Sequence, residues 1–162
     1  MNVVARRGTP IILLTLVLSL MLAIMPLPTW GEEIRPYFVL LAVVYWCMAL
    51  PHRVNIGVAW VMGLLLDVTY DAVLGQYALA MALIAFFTVN LHQRLRVFPL
   101  WQQAIVVFVF AMLYSLIVLW IKGMTGNAPS VWTIITPCFT TAVLWPPTFV
   151  FLRKLRRIYS VT

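Results

Sequence analysis

The sequence predicts an all-α integral membrane protein with six transmembrane helices, and three observations support this fold class. Of its 162 residues, 64% are hydrophobic and only 9% are charged, so a soluble domain of this size would lack a polar surface. Six apolar segments follow one another with short connections. The basic residues cluster at alternate connections, as in a chain that crosses a bilayer repeatedly. The whole chain, residues 1–162, is therefore predicted to be a single transmembrane domain.

The six apolar segments set the predicted spans. The first follows a short basic stretch, an arrangement that is also typical of a signal peptide. No small-residue cleavage motif follows it, so we interpret this segment as an uncleaved first span. The predicted spans are, in chain order, residues 10–27, 36–50, 54–70, 72–91, 100–121 and 131–152.

The third segment is unusually short, because its apolar part ends at Leu66. From Val54 to Leu66 a helix would be about 20 Å long, against a hydrocarbon core of roughly 30 Å. The segment crosses the membrane only if its helix continues through Asp67 to about Tyr70. The alternative is a short or re-entrant helix, whose backbone would have to be buried in protein or face water.

Two prolines interrupt the sixth segment. Pro146 and Pro147 follow Trp145 in the stretch "LWPP". Each proline lacks an N–H group and frees a carbonyl on the preceding turn, so the helix is predicted to bend there and to line a cavity or accommodate a partner helix. The alternative is a helix that ends before these prolines and is followed by a new short turn.

The distribution of charge predicts the orientation. With six spans and the N-terminus inside, nine of the eleven Lys and Arg residues lie on the inner face and all four acids lie on the outer face. Both termini are therefore predicted to be cytoplasmic. The same distribution accounts for most of the net charge of +7 without a nucleic-acid partner, and membrane lipids are the partners that it favours. The nine inner residues are Arg6, Arg7, Arg53, Arg94, Arg96, Arg153, Lys154, Arg156 and Arg157.

The stretch "GLLLDVTYDAVLGQ" places two acids where the chain is otherwise apolar. Asp67 is a functional-site candidate by default, because an ionisable residue within a membrane is costly. It is either part of a proton or ion path, part of a ligand site, or a structural acceptor that holds the turn between the third and fourth helices. Asp71 is predicted to cap the fourth helix. Gly63 and Gly75 are predicted to let the two helices approach closely.

The remaining motifs indicate structure rather than chemistry. In the first inner loop, "ALPHRVNIG", Arg53 is predicted to lie at the inner surface and Asn55 to cap the next helix. Cys47 and Cys138 lie in apolar runs and are expected to behave as small hydrophobic residues. The sequence contains no catalytic triad pattern, no HExxH, no Cys/His metal spacing and no phosphate-binding loop. We therefore predict no enzyme activity, no cofactor and no metal.

Taken together, these motifs resemble the MreD family of rod shape-determining proteins. The resemblance covers nearly the whole chain and depends on "LPHRVNIG", "GLLLDVTYDAVLG", "LWQQA", "VLWPP" and the basic tail. The glycine–aspartate–glycine pattern of the family matches Gly63, Asp67 and Gly75. Asp71 stands where the family more typically has a small turn residue.

The resemblance implies a non-enzymatic scaffold in the inner membrane that belongs to the elongasome, the machinery for lateral peptidoglycan synthesis and rod shape. It implies direct binding to the bitopic protein MreC. Through MreC it implies contact with the MreB filament, the RodA glycosyltransferase and a penicillin-binding transpeptidase. The family is also distantly similar to the S-components of ECF vitamin transporters. An alternative function is therefore a binding or transport subunit for a small molecule or lipid precursor, with a pocket near Asp67.

Overall fold

The structure, a computed structural model, describes residues 8–126, 130 and 132–159. Every regular element in these ranges is a helix, which agrees with the predicted all-α class. Arg6, Arg7 and the predicted start of the last span at residue 131 lie outside the described residues. The helices are α1 (Thr9–Ile24), α2 (Thr29–Glu32), α3 (Phe38–Ala49), α4 (Ile56–Thr69), α5 (Gln76–Val97), α6 (Leu100–Met124) and α7 (Trp132–Ile158).

The helices fall into two length classes. Among the described helices, α5, α6 and α7 are long and apolar enough to cross a membrane. α1, α3 and α4 are also apolar but contain only 16, 12 and 14 residues. A 12-residue helix rises about 18 Å, well short of a hydrocarbon core of roughly 30 Å. The fold is thus that of a helical membrane protein, and crossing by all six apolar segments stays a prediction.

Two helix boundaries near the third connection differ from the predicted spans. α4 continues through Asp67 to Thr69, as a full third span requires. α5 begins at Gln76 instead of residue 72, because the chain makes turns before the helix starts. It ends at Val97 instead of residue 91. The prediction stopped where the apolar run ends, but the polar and basic residues that follow are still helical. The helix stops before Phe98, because a residue that precedes a proline disfavours the helical conformation.

α7 is continuous through its prolines. It runs from Trp132 to Ile158 with Pro137, Pro146 and Pro147 inside it. The alternative in which the helix ends before the two adjacent prolines is therefore wrong. A bend at these prolines stays a prediction, whereas the helix itself extends six residues past the predicted limit at residue 152 and carries the basic tail.

The centre of the bundle is α3, in which eleven of twelve residues are buried. It packs against α1, α5 and α7, while α4 packs mainly on α5 and α6 on α7. Trp46 of α3 is completely buried, and its indole N–H donates to the hydroxyl of Thr15 in α1 at 2.9 Å. A helix that is apolar on all sides is expected at the centre of a bundle.

The two ends of the bundle differ in charge. At one end α3 finishes and α4 begins; we call it the basic end. At the other end α4 finishes and α5 begins; we call it the acidic end. The basic end carries Arg53, Arg94, Arg96, Arg153, Lys154, Arg156 and Arg157. The acidic end carries all four acids of the chain, together with Arg35 and Lys122.

Arginines from other parts of the chain cap two helix C-termini. The guanidinium of Arg35 donates to the carbonyls of Ala23 and Met25 at the end of α1. The guanidinium of Arg96 donates to the carbonyls of Met48 and Ala49 at the end of α3, with an Nε–O distance of 2.9 Å to Met48. Carbonyls in the last turn lack intrahelical donors, so these cations satisfy them and complement the negative end of the helix dipole.

Candidate functional site

A buried carboxylate joins α4 to α5 at the acidic end. Asp67 is fully buried in the last turn of α4. Its Oδ2 accepts hydrogen bonds from the backbone N–H groups of Gly75 at 2.8 Å and Ala78 at 3.4 Å, and its Oδ1 accepts one from Tyr77 at 2.7 Å. The first N–H groups of a helix have no intrahelical acceptor. Asp67 therefore caps α5 from the preceding helix, and its charge suits the positive end of the α5 dipole.

Gly63 lets the two helices approach closely enough for this cap. It lies one turn before Asp67 on the same face of α4. A Cβ atom added at Gly63 would lie 2.7 Å from both the carbonyl oxygen of Tyr77 and the amide nitrogen of Ala78, which is closer than real Cβ contacts allow. The first turn of α5 thus packs directly on the backbone of α4, in line with the close contact predicted for this glycine.

Gly75 is required for a different reason. It is the N-cap residue of α5 and has a φ of +98°, in the left-handed region. A Cβ added there would meet nothing within 4 Å, so the restriction is conformational and not spatial. This backbone conformation directs the Gly75 N–H toward Asp67.

The predicted capping role of Asp71 is wrong. Asp71 is exposed and lies in the turn before α5, whose N-cap is Gly75. Its φ of +48° makes it the one non-glycine residue with positive φ in the described part of the chain. Asp67 caps α5 instead. Four residues separate Asp71 from the first residue of α5, and they bring the start of this helix back against α4, where Asp67 lies.

The geometry of Asp67 favours the structural interpretation among those that the sequence allows. Both carboxylate oxygens accept hydrogen bonds from backbone N–H groups, and the residue lines neither of two cavities that open at this end of the bundle. A role for Asp67 in ion transfer or ligand binding stays a hypothesis.

Beside this corner, four tyrosines form a cluster that the sequence analysis missed. The ring centroids of Tyr37 and Tyr114 lie 4.9 Å apart, those of Tyr70 and Tyr77 5.4 Å, and those of Tyr77 and Tyr114 6.0 Å. The Tyr37 hydroxyl pairs with that of Ser115 at 2.8 Å. The spacing of Tyr70 and Tyr77 on either side of the "DAVLGQ" turn was the available signal.

Two cavities open on this tyrosine cluster. One, of about 190 Å³, lies among α1, α3, α4, α5 and α7 and includes Arg35 and Glu32 in its lining. The other, of about 180 Å³, lies among α3, α5, α6 and α7 and includes Lys122. Tyr37, Tyr77 and Thr133 line both cavities, so this end of the bundle presents a recess with hydroxyl groups and a few charges.

A second polar link joins α5, α6 and α7 and includes one predicted residue. The indole N–H of Trp145 donates to Oε1 of Gln103 at 3.2 Å. The amide nitrogen of Gln103 donates to the carbonyls of Leu95 and Phe98 at 3.0 Å each, where α5 ends. Gln103 was not among the predicted site residues; "LWQQA" was noted only for its resemblance. The stretches "LWQQA" and "VLWPP" thus meet in the folded chain.

Comparison with known proteins identifies the family. Residues 6–155 match the family described as rod shape-determining protein MreD. The chain belongs to the MreD family. The rod shape-determining protein MreD of Haemophilus influenzae is 29% identical to it over 141 residues, which cover 87% of each chain. No solved structure matches the chain.

Membership in the MreD family makes this chain a membrane protein of the rod-shape machinery. The family is one of shape-determining proteins and is not a known enzyme family. In the described residues, no group of three or more His, Cys, Asp or Glu side chains is placed to hold a metal ion. Cys47 and Cys138 are buried free thiols, and Cys138 accepts or donates a hydrogen bond at 3.3 Å with Ser115.

The predicted site residues of this MreD-family chain fall into three separate places. Gly63, Asp67 and Gly75 meet at the corner of α4 and α5. Asn55 and Arg53 lie at the basic end, where the Asn55 side chain accepts from the Gly57 N–H at 3.1 Å and so caps α4 as predicted. One buried nitrogen of Arg53, Nη1, has no hydrogen-bond partner among the described residues. The third place is on α7, where Trp145, Pro146 and Pro147 lie.

Proposed function

We propose that this protein is a non-enzymatic scaffold of the elongasome in the bacterial inner membrane and that it binds MreC directly. Family membership supports the shape-determining role. MreC is the partner that the sequence resemblance implies, and through MreC the scaffold would reach MreB, RodA and a penicillin-binding transpeptidase. Several contacts of the chain suit such a role, because the side chains of Asp67, Gln103 and Trp145 hold helices together.

We propose that the single transmembrane helix of MreC docks in a groove between α1, α3 and α7. The groove has a volume of about 270 Å³ and an almost entirely apolar lining. Pro147 lies in its wall, as do the small polar side chains of Ser19 and Thr148. In lipid, helices associate through close packing and through small residues that permit it, so a groove of this kind fits a partner helix. Its lining residues are Thr15, Leu18, Ser19, Leu22, Phe38, Leu41, Ala42, Leu144, Pro147, Thr148, Phe151 and Leu152.

The groove is tested by filling it with a larger side chain. Leu18 is 46% exposed and lines the groove, whereas Leu116 on α6 is 52% exposed and lies outside it. We expect Leu18→Trp to reduce co-purification of MreC and to produce rounded cells. Leu116→Trp introduces the same side chain at a comparably exposed site and should change neither the co-purification of MreC nor the cell shape. Normal MreC binding by Leu18→Trp would refute the groove as the docking site.

We further propose that the chain crosses the inner membrane six times, with both ends in the cytoplasm. The grouping of the acids at one end and most arginines at the other supports this orientation. The short helices α1, α3 and α4 would then span with help from local bilayer thinning and from residues that reach the interface. A reporter active in the periplasm, fused at residue 71, should give a signal, and one active in the cytoplasm should not. The reverse result would contradict six spans.

The recess at the tyrosine cluster supports an alternative function, the binding of a small molecule or lipid precursor. Its hydroxyl groups and charges suit a polar ligand, and convergent polar groups in a concave site are typical of ligand pockets. Asp67 would not take part directly, since it is engaged in the corner. The test is Tyr77→Phe, which removes a hydroxyl and keeps the ring. Loss of binding to a panel of water-soluble vitamins, with MreC still bound, would favour this alternative over the scaffold.

A further inference from the structure

A cavity at the basic end is lined by three arginines. It has a volume of about 200 Å³ and lies where the C-terminal parts of α3, α5 and α7 meet. Arg96 comes from α5, and Arg153 and Arg156 come from α7. Its apolar walls are Met48, Ala49 and Phe149, and the remaining lining residue is Tyr45. The cavity therefore combines concentrated positive charge with an apolar floor.

The positive charge in this cavity has no carboxylate side chain to balance it. The four acids of the chain all lie at the acidic end of the bundle. Arg96 is held in place by the carbonyls of Met48 and Ala49, so the C-terminus of α3 is already neutralised without the α7 arginines. Arg153 and Arg156 are thus not needed to cap α3, and their guanidinium groups are free to serve an anion. Three guanidinium groups around one cavity create a local field that attracts a negative ligand.

Tyr45 is the one hydroxyl-bearing residue among the described residues that line the cavity. It is only 1% exposed, yet it lines the cavity. The ring is fixed by edge contacts with Trp46 at 5.2 Å and Phe149 at 5.5 Å. Arg153 and Arg156 line the same cavity as this residue. The Tyr45 hydroxyl is a hydrogen-bond donor on a residue that lines the cavity together with the guanidinium groups of Arg153 and Arg156, and this combination suits an acceptor oxygen.

We propose that this cavity binds the phosphate of an anionic phospholipid headgroup. Guanidinium groups pair with phosphate through two parallel N–H···O bonds, and basic pockets between transmembrane helices on the cytoplasmic side are suited to phospholipid headgroups. The helices that form the cavity have apolar outer surfaces, for example at Val143 and Val150 of α7, which are 59% and 55% exposed. A lipid bound by its phosphate can lay its acyl chains along that surface, which a soluble phosphate compound cannot use.

The test compares two double variants of the full-length protein with equal loss of charge. Arg153→Gln with Arg156→Gln removes two lining arginines. Lys154→Gln with Arg157→Gln removes two exposed charges from the same stretch of α7 that do not line the cavity. Each protein is reconstituted in nanodiscs of phosphatidylcholine with phosphatidylglycerol or cardiolipin, and the retained lipid is measured by native mass spectrometry. We expect the first variant to retain about tenfold less anionic lipid and the second to behave like the native protein.

A milder variant covers the case in which the first double variant fails to fold. Tyr45→Phe removes only the hydroxyl and should weaken lipid retention roughly threefold, without any change in charge. If both double variants retain equally less anionic lipid, the effect comes from net charge and not from the cavity, and the proposal is overturned. It is also overturned if neither variant retains less lipid than the native protein. Tight binding of glycerol phosphate or inorganic phosphate without retention of lipid would also overturn it. Parallel co-purification of MreC separates this outcome from failure of the scaffold proposal.

Discussion

The carboxylate of Asp67 lies 2.7 Å from the amide nitrogen of Tyr77, ten residues further along the chain. This hydrogen bond links the last turn of α4 to the first turn of α5. Most helix caps come from the residue that directly precedes the helix. Here the preceding residue is Gly75, which has no side chain, and the acceptor comes from a neighbouring helix instead. The position of α5 therefore depends on residues in two helices.

Removal of the Asp67 carboxylate should destabilise this corner. Asp67→Ala leaves two buried N–H groups and one partly buried N–H group without their acceptor, which we expect to lower the free energy of unfolding by about 3 kcal/mol. Asp67→Asn keeps one acceptor oxygen and should cost roughly half as much. Thermal unfolding in detergent, followed by tryptophan fluorescence, measures both. Asp71→Asn is the matched control, because Asp71 is exposed and Asn tolerates positive φ; a comparable loss there would contradict the assignment of the cap.

A methyl group at Gly63 should separate α4 from α5. The added Cβ would clash with backbone atoms of Tyr77 and Ala78, which have no flexible end to move aside. We expect Gly63→Ala to cost about 2 kcal/mol, in the range typical of overpacked cores. Gly123→Ala in α6 is the control, since its Cβ would meet nothing within 4 Å. It should be neutral or slightly stabilising, as alanine favours helix. If both variants melt at the same temperature, the close approach has no energetic role.

Substitutions at Gly75 should follow backbone preference and not side-chain size. Gly75 has a φ of +98° and open space around it, so an added Cβ would destabilise the protein only through strain of the backbone. Gly75→Ala is expected to cost about 1 kcal/mol or slightly more. Gly75→Asn should cost less in spite of its larger side chain, because asparagine tolerates the left-handed region best after glycine. Unfolding temperatures that rank with side-chain volume would contradict this account.

Gln103 and Trp145 should act as a unit. Gln103→Leu leaves the Trp145 N–H and the carbonyls of Leu95 and Phe98 without this partner, whereas Trp145→Phe leaves only one amide oxygen unpaired. In a double-mutant cycle we expect a coupling energy of about 1 kcal/mol between the two positions. Chemical denaturation of the four proteins in mixed micelles measures it. Strictly additive effects would mean that the 3.2 Å contact contributes nothing of its own.

Sequence reasoning located the corner but assigned its cap to the wrong aspartate. The apolar run after Asp71 made that residue look like the start of a helix, since capping preferences depend on local sequence. Nothing local shows that the chain continues through Gly75 before the helix begins. Asp67 was identified because a charge is conspicuous in an apolar segment, and Gly63 was predicted to allow the two helices to approach closely. The contact of both residues with the first turn of α5 requires the fold.

Contacts between distant segments were beyond the reach of sequence patterns. The pairing of Gln103 with Trp145 spans 42 residues, and the Tyr37 and Ser115 hydroxyls are 78 residues apart. Arg96 was predicted to lie in the loop after the span that ends at residue 91, but it lies in the last turn of α5 and donates to carbonyls of α3. By contrast, Asn55 was predicted as a cap and is one, because its acceptor role involves a residue only two positions away. Local hydrogen bonds were predictable, and those between helices were not.

The two long-range caps have opposite timing during biosynthesis. Asp67 is synthesised before α5, so its carboxylate is already present when the first turn of that helix leaves the ribosome. Arg96 follows Met48 and Ala49 by 48 and 47 residues, so the end of α3 has no such donor until α5 is complete. During that interval the exposed carbonyls of α3 must rely on water or lipid headgroups. The cap that Asp67 gives to α5 can therefore form earlier in synthesis than the cap that Arg96 gives to α3, relative to the helix that each one caps.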